Sequence, residues 1–302
     1  MNSEKKVNLI LIRLFNITLL LLLSFQSHAE TVSHKIPHSN IIAEANYFDG
    51  DPKKPAVLII HGFLTTNKFH TVVAMSKALE SEGYTTLAPT LTLGINRRKS
   101  SIKCNSIHTH TLESDVEEIE SWVNWLVSKG HKNIVLIGHS SGSQELIEYL
   151  NTKPSKYISK TIFTSLFYFN GKELGTLEHE IVYAKGLIQK NQNQPHKYNF
   201  LFCRNNYSAT PQSFLSYMKL DRQYILDSLK NLKIPSYTIM GSADKRYQSV
   251  GLNWLDELKA TGTHLIEVKG ANHFFSSEHE FDLQDLIVQI SQNNSINTGD
   301  AP

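Results

Sequence analysis

The segment Gly-His-Ser-Ser-Gly at 138–142 lies between an apolar run at 133–137 and a run with helical spacing at 143–150. The first run is typical of a buried parallel strand, and the second is spaced like a helix that packs back onto a sheet. A G-x-S-x-G pattern also occurs by chance in long chains, so this context gives the segment its meaning. We predict a sharp turn in which both glycines let the backbone bend and Ser140 stands clear of the sheet as a candidate nucleophile.

Short apolar runs alternate with longer amphipathic runs from residue 56 onward. This alternation is typical of an α/β fold, a mainly parallel sheet flanked by helices. The sequence predicts strands at 56–60, 85–88, 133–137, 160–164, 236–240 and 264–268, led by an antiparallel strand at 41–48. It predicts helices at 72–82, 114–129, 144–151, 251–260 and 282–292.

One connection is much longer than the others. Roughly 70 residues separate the strands at 160–164 and 236–240, far more than an ordinary α/β connection needs. Two amphipathic helical patterns lie there, so we interpret 168–233 as a helical lid insertion. Its many aromatic residues are expected mainly in the core, with a few lining a substrate pocket.

A serine hydroxyl becomes an effective nucleophile only beside a base, and a histidine base needs a carboxylate to fix its tautomer. Asp244 follows the predicted strand at 236–240, and His273 follows the one at 264–268. Sites in open α/β sheets form at the carboxyl ends of the strands. We therefore expect Asp244 and His273 to meet Ser140 at one edge of the sheet.

The segment His61-Gly62-Phe63 follows the predicted strand at 56–60. Gly62 allows a bend that would bring the Phe63 amide beside the Ser141 amide, and both amides could bind the oxyanion of a tetrahedral intermediate. His61 is interpreted as structural, because it precedes Ser140 and so does not fit a Ser, Asp, His order.

Four other residues are weaker candidates. Glu173 or Asp282 could replace Asp244 as the acid, although Asp244 lies at the expected turn. His108 and His110 could share one face as metal ligands, but no third ligand with suitable spacing follows. No metal or other cofactor is predicted.

The N-terminal segment 1–29 has the pattern of a signal peptide. Three basic residues precede an apolar stretch at 19–25, and small residues occupy the region of the cleavage site. The stretch is much shorter than the roughly 20 residues needed to span a bilayer, so we expect no membrane span after cleavage. This pattern predicts export to the periplasm or secretion, and leaves 30–302 as one domain.

Charge and cysteine content limit the partners and the compartment. The formal net charge is +2, and the leader supplies it, so nothing in 30–302 favours nucleic acid or an anionic surface. Cys104 and Cys203 are the two cysteines of the chain. An even pair in an exported protein suggests a disulfide, and two unpaired buried thiols are the alternative.

The chain resembles the α/β-hydrolase superfamily from about residue 41 to residue 292. The resemblance implies a nucleophile at Ser140, an acid at Asp244 and a base at His273, in that chain order. The stretch at 89–94 together with Cys104 is also similar to exported bacterial hydrolases of unknown substrate.

Hydrolysis of an ester or thioester through an acyl-enzyme is the leading hypothesis, with a small acyl compound as substrate. A peptidase or an acyltransferase would use the same three residues. A non-catalytic protein that binds an apolar ligand under the aromatic insertion is the alternative from a different class.

Overall fold

A computed structural model describes residues 29–251 and 253–292. The predicted signal peptide at 1–29 lies outside the described residues except for Ala29, and it stays a prediction. Within the described ranges no helix has the length and apolar character needed to cross a membrane.

A large sheet runs through the described part of the chain. Eight of its strands pair in the order β1-β2-β4-β3-β5-β6-β9-β10, and β7 and β8 form a separate two-stranded sheet. Pairing is antiparallel between β1 and β2 and between β2 and β4, and parallel elsewhere in the large sheet. The strands are β1 (Glu30–Lys35), β2 (Ile42–Phe48), β3 (Ala56–Ile60), β4 (Thr85–Thr90), β5 (Ile134–His139), β6 (Ile158–Thr164), β7 (His196–Phe200), β8 (Cys203–Ala209), β9 (Ser236–Gly241) and β10 (His264–Val268).

The α-helices of the described residues connect or flank these strands. They are α1 (His70–Ser81), α2 (Leu112–Ser128), α3 (Ser141–Thr152), α4 (Glu178–Gln189), α5 (Pro211–Tyr217), α6 (Arg222–Asn231), α7 (Lys245–Val250), α8 (Trp254–Ala260) and α9 (His279–Gln292).

The central strands are buried on both faces, as strands of parallel sheets usually are. Successive side chains of a strand point to opposite faces, and β5 follows this rule. Ile134 and Leu136 join the apolar cluster formed with α2 and α3, whereas Val135 and Ile137 join the cluster formed with α1 and α9. The sheet therefore lies between two helical layers.

The predicted strands are confirmed within a few residues, but outside the long connection the strand β1 and the short helix α7 were missed. The edge strand β1 has the sequence ETVSHK, which is exposed or half-buried throughout and shows no clear apolar alternation. The helix predicted at 251–260 begins at Trp254, and the short helix α7 precedes it.

The long connection spans residues 165–235 and is not purely helical. Besides a 3₁₀ turn (Lys172–Leu174) and helices α4, α5 and α6, it contains the antiparallel pair β7 and β8. The prediction of a helical insertion missed this hairpin because three successive residues of β8, Arg204 to Asn206, are polar and exposed. Strand β8 therefore lacks the period-two pattern that marks a half-buried strand.

The Cys104–Cys203 disulfide is present, with the two Cα atoms 5.5 Å apart. It ties the loop after β4 to the β7–β8 hairpin. Two backbone hydrogen bonds reinforce the link, one from the Ser208 N–H to the Cys104 oxygen (3.0 Å) and one from the His108 N–H to the Ser208 oxygen (2.8 Å). A disulfide of this kind is compatible with an oxidising compartment.

Candidate active site

The turn between β5 and α3 places Ser140 in an uncommon backbone conformation. Its φ is 55° and its ψ is −122°, a region that costs of order 1–3 kcal/mol for a residue other than glycine. The turn is held by hydrogen bonds from the Ser140 N–H to the Thr164 oxygen and from the Ser143 N–H to the Ser140 oxygen, both 2.9 Å long. Tertiary structure thus maintains the strained residue at the end of the strand.

The flanking glycines serve close packing rather than bending. Neither Gly138 nor Gly142 has a positive φ. A Cβ on Gly138 would lie 2.6 Å from backbone atoms of Ser143, and one on Gly142 would lie 2.5 Å from the Ile60 oxygen. The predicted sharp turn is present, but Ser140 carries the unusual dihedral angles, and the glycines let α3 approach β3 and β5.

The structure brings Ser140, His273 and Asp244 together in one hydrogen-bonded chain. The distance from His273 Nε2 to Ser140 Oγ is 2.9 Å, and the distance from His273 Nδ1 to Asp244 Oδ2 is 2.6 Å. Ser140 follows β5, Asp244 follows β9, and His273 lies in the loop after β10. These are the carboxyl ends of parallel strands, as the sequence predicted.

All three side chains are shielded from solvent, and Asp244 most of all, at 1% exposure. Burial lowers the pKa of His273, and the positive charge of Arg246 lowers it further, while the hydrogen bond from His273 to Asp244 opposes both. This lowered pKa favours the neutral His273 ring, which can accept a proton. The Ser165 hydroxyl donates to the His273 backbone oxygen at 2.7 Å and helps to fix the loop.

The loop after β3 passes directly beside the nucleophile. A Cβ on Gly62 would lie 3.2 Å from the Ser140 Cβ, so a larger residue there would crowd the serine. Among the described residues, neither the Phe63 N–H nor the Ser141 N–H donates to a protein acceptor. Ser141 is buried and Phe63 is half-buried, so a ligand oxygen bound by these amides would displace no protein acceptor.

Both ring nitrogens of His61 are engaged by the protein. Nδ1 lies 2.9 Å from the Gly62 oxygen, and Nε2 accepts from the Leu91 N–H at 3.0 Å. Burial and the nearby Arg98 charge lower the pKa of His61 to about 3. The structural interpretation of this residue is consistent with these contacts.

Arg246 is a site residue that the sequence reasoning missed. Its Nη1 lies 3.3 Å from Ser140 Oγ, and its backbone N–H donates to Asp244 Oδ1 at 2.9 Å. The signal in the sequence was its position two residues after the acid. Sequence position alone does not say whether such a side chain turns toward the nucleophile or toward solvent.

A cavity of about 180 Å³ opens onto Ser140. Phe202 of the long insertion forms part of its wall and packs on Phe63 of the β3 loop, with ring centroids 5.4 Å apart. The cavity is lined by Gly62, Phe63, Thr65, Phe69, His139, Ser140, Phe202, Arg246, His273 and Phe274.

The weaker candidates from the sequence lie in other contacts. Glu173 accepts a hydrogen bond from the Tyr168 hydroxyl, and Asp282 pairs with His279 at 2.9 Å. The His108 ring stacks on Tyr207 with centroids 4.4 Å apart, while His110 Nδ1 lies 3.2 Å from Asp115. Within the ranges that the structure describes, no group of three or more His, Cys, Asp or Glu side chains is arranged to hold a metal ion.

The chain has the α/β-hydrolase fold. It superposes on DcsB in complex with its substrate analogue with a TM-score of 0.67 at 14% identity, covering 89% of this chain and 100% of that one. For ferulic acid-bound Est1E from Butyrivibrio proteoclasticus, the TM-score is 0.61 at 17% identity, with coverage of 86% and 97%. For the thioesterase domain from the curacin biosynthetic pathway, it is 0.59 at 18% identity, with coverage of 86% and 99%.

Sequence comparison is less informative than the fold. Residues 24–167 match the model of a family described as a protein of unknown function (DUF1749). No curated protein matches the sequence of this chain.

Proposed function

We propose that this chain is a serine hydrolase that cleaves an ester or thioester through an acyl-enzyme on Ser140. The observation that carries the proposal is the continuous contact of Ser140 Oγ, the His273 ring and the Asp244 carboxylate, with distances of 2.9 Å and 2.6 Å. A base within hydrogen-bond reach of a nucleophile, itself oriented by a third group, is the arrangement that nucleophilic catalysis requires.

In the first half-reaction, His273 Nε2 takes the proton of Ser140 Oγ while that oxygen forms a bond to the acyl carbon. Asp244 accepts the Nδ1 proton, which holds the ring in the tautomer that leaves Nε2 free, and it stabilises the imidazolium that forms. The carbonyl oxygen becomes an oxyanion bound by the Phe63 and Ser141 amides. Each such donor contributes about 2.7 to 4 kcal/mol to the stability of the transition state.

The first half-reaction ends when the bond to the leaving oxygen or sulfur breaks and the leaving group takes the proton from His273, which leaves the acyl-enzyme on Ser140. The second half-reaction is the hydrolysis of this intermediate. A water molecule then attacks the acyl-enzyme, gives a proton to His273 and releases a carboxylic acid and free Ser140. The proton returns to Oγ, so protons balance over the cycle.

The cavity size supports a short acyl group. Its volume of about 180 Å³ is below the roughly 300–1,000 Å³ of pockets that hold drug-sized ligands. Phe202 links the long insertion to the cavity wall, which supports a role of the insertion as a lid. The predicted leader and the Cys104–Cys203 disulfide together support export to the periplasm or secretion.

A substrate panel tests the proposal. Residues 30–302 are assayed with acyl esters and thioesters of increasing chain length and with aminoacyl amides, and the free acid is titrated as it is released. We expect turnover of short esters or thioesters and its loss in Ser140→Ala, with the exposed Ser81→Ala as the matched control. Cleavage of the amides alone would favour a peptidase, and turnover without free acid would favour an acyltransferase.

A further inference from the structure

Arg246 brings the one formal positive charge among the residues that line the cavity. The other titratable lining side chains are His139 and His273. Burial lowers the pKa of both, for His139 far below the usual value. At neutral pH the described cavity wall therefore presents a single cation beside neutral polar and aromatic groups.

Among the described residues no carboxylate forms a close ion pair with the half-buried Arg246 guanidinium, although the nearby Asp244 charge attracts it. Other arginines of the described chain have their donors filled by the protein: Arg97 pairs with Glu44 at 2.9 Å, Arg222 pairs with Glu257 at 2.6 Å, and the buried Arg98 donates to the backbone oxygens of Leu91 and Ser100. A guanidinium that is partly removed from water needs acceptors for its N–H donors, because unfilled donors of a charged group are costly. Acceptor atoms of a ligand in the cavity could fill the guanidinium donors that the protein leaves open.

The position of the guanidinium limits where that partner can lie. Nη1 is 3.3 Å from Ser140 Oγ, so an anionic group bound by Arg246 lies within a few bonds of the carbon that Ser140 attacks. The backbone N–H of Arg246 donates to Asp244. This bond fixes the Arg246 backbone relative to Asp244 and His273. A substrate that meets both groups must therefore carry its anionic group close to the carbon that Ser140 attacks.

We propose that Arg246 binds a carboxylate of the acyl group, so that the substrate is the monoester or monothioester of a short dicarboxylic acid. The planar guanidinium matches a carboxylate through paired N–H donors. One cation balances a monoanionic carboxylate better than a phosphate monoester, which carries nearly two negative charges at neutral pH. This inference rests on the proposed hydrolase function and specifies its substrate.

Matched ester pairs test the inference. Monoethyl glutarate and ethyl valerate differ mainly in a carboxylate that replaces a methyl group, and acid release from both is followed by titration at pH 8. Hydrogen bonds to a charged group favour the anionic ester by about 10-fold or more in kcat/KM of the wild type. In Arg246→Gln this preference is expected to disappear, because the charge is lost. In Arg246→Lys it is expected to be reduced but present, because the charge remains and the paired N–H donors of the guanidinium are lost.

Three outcomes separate this inference from the underlying function. Equal kcat/KM of the wild type for ethyl valerate and monoethyl glutarate overturns the inference and leaves the hydrolase proposal intact. Arg246→Gln that keeps the full preference also overturns it. Wild-type protein that hydrolyses no ester and resists a fluorophosphonate probe overturns the proposed function itself. Because the preference of the wild type is measured first, the test holds even where a variant fails to fold.

Discussion

Replacing Asp244 with asparagine should nearly abolish turnover while leaving the site folded. Asp244 Oδ1 accepts from the Arg246 N–H at 2.9 Å, and Oδ2 accepts from His273 Nδ1 at 2.6 Å. In Asp244→Asn the amide oxygen must stay toward the Arg246 donor, so the amide NH₂ turns toward His273. The His273 ring then has to accept at Nδ1 and carry its proton on Nε2, where it can no longer take one from Ser140.

The magnitude follows from this change of tautomer. Asp244 is only 1% exposed, so water cannot replace the lost carboxylate. The wrong tautomer at a serine hydrolase triad reduces kcat by about 10⁴-fold, which corresponds to about 5.4 kcal/mol of transition-state stabilisation.

The assay compares kcat of wild type, Asp244→Asn and the control Asp282→Asn on one short ester, with thermal unfolding to verify the fold. Asp282 was the alternative acid and contacts His279, so its substitution should leave kcat unchanged. A loss below about 10-fold in well-folded Asp244→Asn, against the expected 10⁴-fold, would refute the role of the carboxylate.

Three further predictions concern His273, the Cys104–Cys203 disulfide and the turn at Ser140. Because burial and Arg246 lower the pKa of His273, kcat/KM for a neutral ester should rise with pH, reach half its maximum below pH 6.5 and then level off. Arg246→Gln removes a positive charge, so the rising limb of this pH profile should move to higher pH. A limb centred above 6.5 in the wild type would contradict this. Replacing Cys104 and Cys203 with serine should lower the free energy of unfolding by about 2–5 kcal/mol in urea titrations, and an unchanged value would argue against a structural role. Gly142→Ala, whose Cβ would lie 2.5 Å from a backbone oxygen, should cost about 1–3 kcal/mol of stability and reduce turnover, whereas normal unfolding and rates would contradict the packing role.

The sheet could be predicted from local sequence patterns, and the meeting of Ser140, Asp244 and His273 could be predicted from the sheet. Strands β3 and β5 are buried throughout, and this burial matches the continuous apolar runs at 56–60 and 134–137. Once those strands are taken as parallel, polar residues that follow them must gather at one edge. Ser140, Asp244 and His273 could thus be placed together although they are far apart in the chain.

Other features depend on tertiary contacts that a sequence pattern does not reveal. Strand β8 is polar on its exposed side and is held by pairing with β7 and by the disulfide. The turn glycines were read as bending points, whereas Gly142 is constrained by the approach of Ile60. Arg246 belongs to the site because its side chain turns toward Ser140, a path that depends on the surrounding fold.

The central claim is that Ser140 is a nucleophile activated by His273, and covalent labelling tests it most directly. Purified protein is incubated with a fluorophosphonate probe, and the modified peptide is identified by mass spectrometry. The account predicts one adduct on Ser140, none in Ser140→Ala and much slower labelling in His273→Ala. Folded wild-type protein that takes up no probe, or that is labelled elsewhere, would contradict the account and favour a non-catalytic binding protein.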